Sequence, residues 1–139
     1  MGPGDWLHVQ LKFSKCLINS LLDSGASRTI LRRQEFDKIC KYIGRQPIIS
    51  KAIDLCAVTG HQLKVLGSTE LYEEQLGVIP IIIVEGIQHP CILGRDVLKQ
   101  QGAIINYKNG TLQCNKALFK LTPGSNDSQV QSFGSRPPP

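Results

Sequence analysis

Several features that would point to common function classes are missing from these 139 residues. There is no long hydrophobic run: the longest, Val78 to Val84, is broken by Pro80 and falls far short of the roughly 20 residues that span a bilayer. No signal-like segment opens the chain, so the expectation is a soluble protein with no membrane partner, cytoplasmic or carried within a virus-like particle rather than secreted. No Cys-x-x-Cys pair occurs. The five cysteines, Cys16, Cys40, Cys56, Cys91 and Cys114, are odd in number and widely spaced, which argues against a zinc site or disulfide framework and for reduced, mostly buried thiols. Acidic residues are outnumbered, 11 against 16 basic ones, for a formal charge of +5. The basic excess is dispersed, with only Arg32 and Arg33 adjacent, so it reads as a solvated surface with no specific nucleic-acid partner. The length suits one small domain of roughly 100–150 residues and leaves no room for a second catalytic lobe.

What is present is strand-rich. Residues 6–13, WLHVQLKF, alternate as a half-buried strand does, and KCLINSLLD reads as its hairpin partner. SRTILRRQEFDKICKYIG begins extended and can turn into a short helix ending at Gly44. Three or four strands are expected between Pro47 and Gly86, and VTGH marks a hairpin tip. RDVLKQQG has the spacing of a two-turn helix stopped by Gly102, and Asn109-Gly110 suits a type I′ hairpin turn. From Thr122 onward the chain is polar and rich in Pro, Gly and Ser, as disordered tails are. The expected organisation is a flexible start over 1–5, a domain over 6–121 and a tail or linker over 122–139.

The stretch LLDSGASRTI raises the functional question, because an apolar strand runs directly into Asp23-Ser24-Gly25. A carboxylate there needs a partner or hydrogen bonds. About seventy residues later a second apolar turn, ILGRD, opens a helix. Together, LLDSGAS…IL and ILGRDVLKQQGA resemble the retropepsins, the aspartic proteases of retroviruses and long-terminal-repeat retrotransposons. The resemblance runs from about Trp6 to Asn115, and GAIINYKNGTL looks more like the gypsy-type retrotransposon branch than the lentiviral one.

The resemblance implies a mainly β, retropepsin-like fold: a closed β-barrel monomer with one short C-terminal helix, active as a two-fold homodimer. It also implies an aspartic endopeptidase, acting on extended segments of a Gag-Pol-type polyprotein. The partner of Asp23 would then be Asp23 of a second copy. Consistent with one acid per chain, none of Asp5, Asp37, Asp54, Asp96 and Asp127 is followed by Ser-Gly or Thr-Gly. Two carboxylates about 3 Å apart share one proton. The ionised member takes a proton from a water held between them while the protonated member polarises the scissile carbonyl. That chemistry requires no metal and no cofactor, and it favours mildly acidic pH.

By the same resemblance, the Ser24 hydroxyl bonds across the dimer axis, Gly25 permits close backbone approach and a strained turn, and Ala26 leaves room for the peptide. Ser27 and Arg28 line the substrate pocket. Ala57, Val58, Thr59, Gly60 and His61 form the tip of a covering flap, where His61 is read as a turn residue and not as a base. Gly94, Arg95 and Asp96 support the catalytic loop.

Three departures stand out. The acid that retroviral members place after the catalytic motif is replaced by Ser27, a guanidinium follows it at Arg28, and no interleaving N-terminal strand precedes Trp6. The expected dimer interface is therefore the C-terminal hairpin that begins with Ala103 to Tyr107. Two other readings remain: a retropepsin-like dimerisation or peptide-binding module with weak or no turnover, and a basic RNA-associated domain.

Overall fold

The structure, a computed structural model, describes residues 6–44 and 64–123. The first hairpin follows from alternation. In Leu7–Phe13 (β1), Val9, Leu11 and Phe13 are buried on one side, and Cys16–Leu22 (β2) returns antiparallel after Ser14-Lys15. Ile30–Arg32 (β3) leads directly into Arg33–Ile43 (α1), which buries Phe36 and Ile39. The helix ends where Gly44 adopts φ 81° and donates its N–H to the Cys40 carbonyl at 2.9 Å, a left-handed cap that glycine adopts without steric cost.

Lys64–Glu73 (β4) and Gly77–Glu85 (β5) form the second long hairpin. Its turn is organised by the buried Glu73 carboxylate, which accepts N–H groups from Lys12 (2.8 Å), Gln75 (2.6 Å) and Leu76 (2.8 Å). Those bonds offset the desolvation of the acid. Pro80 sits in β5 opposite Glu70 on β4, short of the Ile82–Val84 stretch that pairs with β3, so its missing donor disturbs no ladder on the β3 side.

Cys91–Leu93 (β6) precedes Arg95–Gln100 (α2), which ends near Gly102 as its spacing predicts. Ile104–Asn106 (β7), Thr111–Cys114 (β8) and Ala117–Lys120 (β9) make a separate antiparallel sheet. Thr122–Pro123 (β10) pairs with Leu7 and His8, so the first two residues assigned to the tail lie along the edge of β1.

The main sheet has the order β10-β1-β2-β6-β3-β5-β4, with β2–β6 and β3–β5 parallel and its other pairs antiparallel. Among the described residues the strands form one seven-stranded and one three-stranded sheet. The fold is mainly β with two helices. One of them, α1, is the helix expected to end at Gly44. The Asn109-Gly110 turn also differs. Only Gly110 has positive φ, and Asn106 closes a four-residue loop by accepting the Asn109 N–H on its side chain (2.9 Å) and the Gly110 N–H on its carbonyl (2.8 Å).

Two cores result. The larger contains Val9, Leu11, Phe13, Leu31, Phe36, Ile39, Ile83 and Leu93. The smaller contains Leu21, Ala26, Ile30, Ile82, Val84, Ile87 and Ile92, with Trp6 and Val65 packed against it. Cys16, Cys91 and Cys114 are buried thiols and Cys40 is partly buried. No helix among the described residues is long and apolar enough to cross a membrane.

Candidate active site

The parallel pairing of β2 with β6 brings the two conspicuous turns together. Leu22 lies opposite Leu93, so Asp23 and Gly94 leave adjacent strands at the same level. The Asp23 N–H donates to the Leu93 carbonyl at 3.1 Å, which holds the loop to the strand end. The Asp23 side chain accepts the Gly25 N–H on Oδ1 at 2.9 Å, and the Asp23 carbonyl accepts the Ala26 N–H at 3.0 Å. The half-buried carboxylate is thereby oriented by its own loop.

A second set of bonds ties this loop to α2. The Ala26 carbonyl accepts the Arg95 N–H at 2.7 Å, and the Ser24 carbonyl accepts Arg95 Nη1 at 3.2 Å. Thr29 Oγ1 donates to Asp96 Oδ1 at 2.7 Å and accepts the Gly94 N–H at 3.0 Å. Asp96 Oδ1 also accepts the Val97 N–H at 2.7 Å, while its Oδ2 lies 3.7 Å from Arg28 Nε. Asp96 is therefore committed to holding the loops. Gly94 is required by space: a Cβ there would stand 2.4 Å from the Arg28 carbonyl oxygen.

These contacts place each anticipated residue. Arg95 braces the loop through the Ser24 carbonyl rather than through a neighbouring acid. Arg28, 40% exposed, shares its charge with Asp96. Ser24 and Ser27 are exposed and Ala26 is buried. Ala26 packs with Leu21 and Ile30, so its small size also serves the minor core. Gly25 is not at positive φ, contrary to the strained turn expected of it; its constraint is proximity, since an added Cβ would lie 3.2 Å from Asp23 Oδ1. The flap residues Ala57, Val58, Thr59, Gly60 and His61 lie outside the described residues.

Sequence reasoning missed Thr29, whose hydroxyl joins the two loops. No sequence pattern marks it; in the structure its hydroxyl is fully buried just before β3 and so needs a partner. It also missed His8 and His89. Both imidazoles are buried, with ring centroids 6.1 Å apart, and Trp6 packs on His89 at 5.9 Å. Burial lowers the proton affinity of both. His89 falls to about 4, with His8 and Arg32 adding to the decrease and the Asp23 charge opposing it. That opposing influence places His89 within the field of the candidate catalytic acid.

No protein-family model and no curated protein matches the chain. Solved structures do. The retroviral protease-like domain of Ddi1 from Leishmania major superposes with a TM-score of 0.70 at 17% identity, covering 88% of this chain and 98% of that one. EIAV protease complexed with the inhibitor HBY-793 gives a TM-score of 0.56 at 20% identity, covering 71% of this chain and 90% of that one. The chain thus has the fold of retropepsin-like aspartic proteases, with Asp23-Ser24-Gly25 at the end of β2.

Proposed function

We propose that the protein is a homodimeric aspartic endopeptidase in which Asp23 of each copy supplies one carboxylate of a proton-sharing dyad. The observation that carries this reading is the clamped Asp23 loop. Its carboxylate is oriented by the Gly25 N–H, and its backbone is bonded to both β6 and α2, within a retropepsin-like fold. One carboxylate alone cannot both activate water and polarise a carbonyl in the same step, so the second must come from another copy.

In this reading the ionised carboxylate of the pair takes a proton from the bound water as its oxygen attacks the scissile carbonyl. The other carboxyl donates a hydrogen bond to the developing oxyanion, and collapse of the diol with protonation of the nitrogen releases two peptides. The substrate is an extended polypeptide. The polyprotein of a gypsy-type element fits the GAIINYKNGTL ending. Ser27 and Arg28 flank the bound chain, and Arg28 favours acidic or polar side chains in it, an effect moderated by Asp96.

The three-stranded sheet is the proposed contact between copies. Ile104 and Leu118, 59% and 63% exposed, lie in one cross-strand row with Gln113 between them. Together they offer an apolar surface beside the β7 edge.

Cleavage of a mixed peptide library across mildly acidic to neutral pH, at several protein concentrations, tests the proposal. The expected result is activity that rises more than linearly with concentration and is lost by at least about a thousandfold in Asp23→Asn. A folded, dimeric chain that cleaves nothing would leave a peptide-binding module without turnover.

A further inference from the structure

Two imidazoles are buried beside a loop whose proposed chemistry is favoured by acid. β1, β2 and β6 are consecutive in the sheet, and β2 carries Asp23 at its end. His8 on β1 lies opposite Leu21, two residues before Asp23. His89 lies two residues before β6, whose last carbonyl, that of Leu93, receives the Asp23 N–H. The rings meet from the two strands that flank β2. Trp6, which packs against the minor core, also lies against His89 and so joins the ring pair to that core.

We propose that His8 and His89 are positioning residues forming an acid-labile clasp, which holds β1 and the approach to β6 together across the Asp23-bearing strand and releases the Asp23 loop on acidification. The clasp is stable only when both rings are neutral. Among the described residues, His8 and Arg32 favour that state. His8 comes from β1 and Arg32 from β3, and both oppose a charge on His89. Glu35 of α1 is already engaged by Arg32 at 2.8 and 2.9 Å. The Cys91 thiol, pushed up to about 12 by burial, stays neutral. Among the described residues, the Asp23 charge favours the charged ring.

The sign follows from linkage. His89 binds a proton less readily in the folded chain, about 4 against an ordinary 6.5. The unfolded chain therefore takes up more protons between those values, and stability is lost as pH is lowered from about 6.5 toward 4. His8, also lowered by burial, acts in the same direction. The acid limb of activity is then set by loss of the clasp as well as by protonation of the dyad.

The inference rests on reading Asp23 as the catalytic acid, but its first readouts need no turnover. Melting temperatures of the full chain and of His89→Phe are compared from pH 6.5 to about 4. The expected result is a steep fall in the native chain that is reduced by about half in the variant. Equal slopes would overturn the clasp.

NMR titration of the native chain stands independently should His89→Phe fail to fold. His89 titrating near 4, and lower still in Asp23→Asn, supports the inference, and titration near 6.5 in the native chain overturns it. Where cleavage is observed, His89→Phe extends its acid limb to lower pH, and an unchanged limb overturns the role in positioning. An inactive chain with His89-dependent acid melting would discard the catalytic reading alone.

Discussion

The two faces of the seven-stranded sheet are made from the same strands but filled differently. On one side Val9, Leu11, Phe13, Leu31, Phe36, Ile83 and Leu93 form a continuous apolar core under α1. On the other, Leu21, Ala26, Ile30, Ile82 and Ile92 form a smaller cluster, with Trp6 packed on it and joined by ring contacts to His89, which itself contacts His8. The contrast is physical. Burial of aliphatic and aromatic surface stabilises at any pH, whereas buried imidazoles make the stability of their surroundings depend on protons. The chain thus separates the face that secures the fold from the face that borders the Asp23 loop.

Substitutions can break or sharpen that contrast. The largest expected effect lies on the stable face. Phe36→Ala leaves a cavity beneath α1 and should cost about 3–5 kcal/mol in urea unfolding, with the pH dependence of melting unchanged because no titrating group is lost. If the pH dependence also flattened, the two faces would not be independent.

Thr29→Val should cost less, about 1–3 kcal/mol, by removing the hydroxyl that joins Asp96 to the Gly94 N–H. Its signature is functional. Because the hydroxyl links the two loops, kcat/KM should fall by more than the change in unfolding free energy accounts for, and a purely proportional loss would reduce Thr29 to a core residue. At the far end, Arg33→Ala removes surface contacts to Glu85 and Asp37 and should leave melting unaltered. The Glu85 carboxyl, held low chiefly by its hydrogen bond from Arg33, should titrate closer to its ordinary value, as carbon-detected NMR can follow.

The site was legible in the sequence where chemistry is local. An acid, a hydroxyl and a glycine after an apolar strand mark a loop, and Gly94 after a second apolar strand marks another. That these loops stand side by side depends on the parallel pairing of β2 with β6. No periodicity reports such pairing, because the partners are separated by about seventy residues. Arg28 shows the same limit. Its charge was evident, but its sharing with Asp96 follows from the turn that brings residue 28 under α2. His8 looked like any polar residue in an alternating strand until β1 and β6 flanked β2.

By itself the sequence determined the alternation that makes β1, the apolar run of β5, the glycine that ends α1, the absence of any membrane-length apolar run, and the Asp-Ser-Gly loop. Each is set by neighbours within a few residues, where backbone sterics and side-chain pattern suffice. Only the tertiary structure decided which loops meet, which acid is spent on structure and which is left beside the imidazoles. Those outcomes depend on strand order and register, which are fixed by burying both faces of the sheet at once.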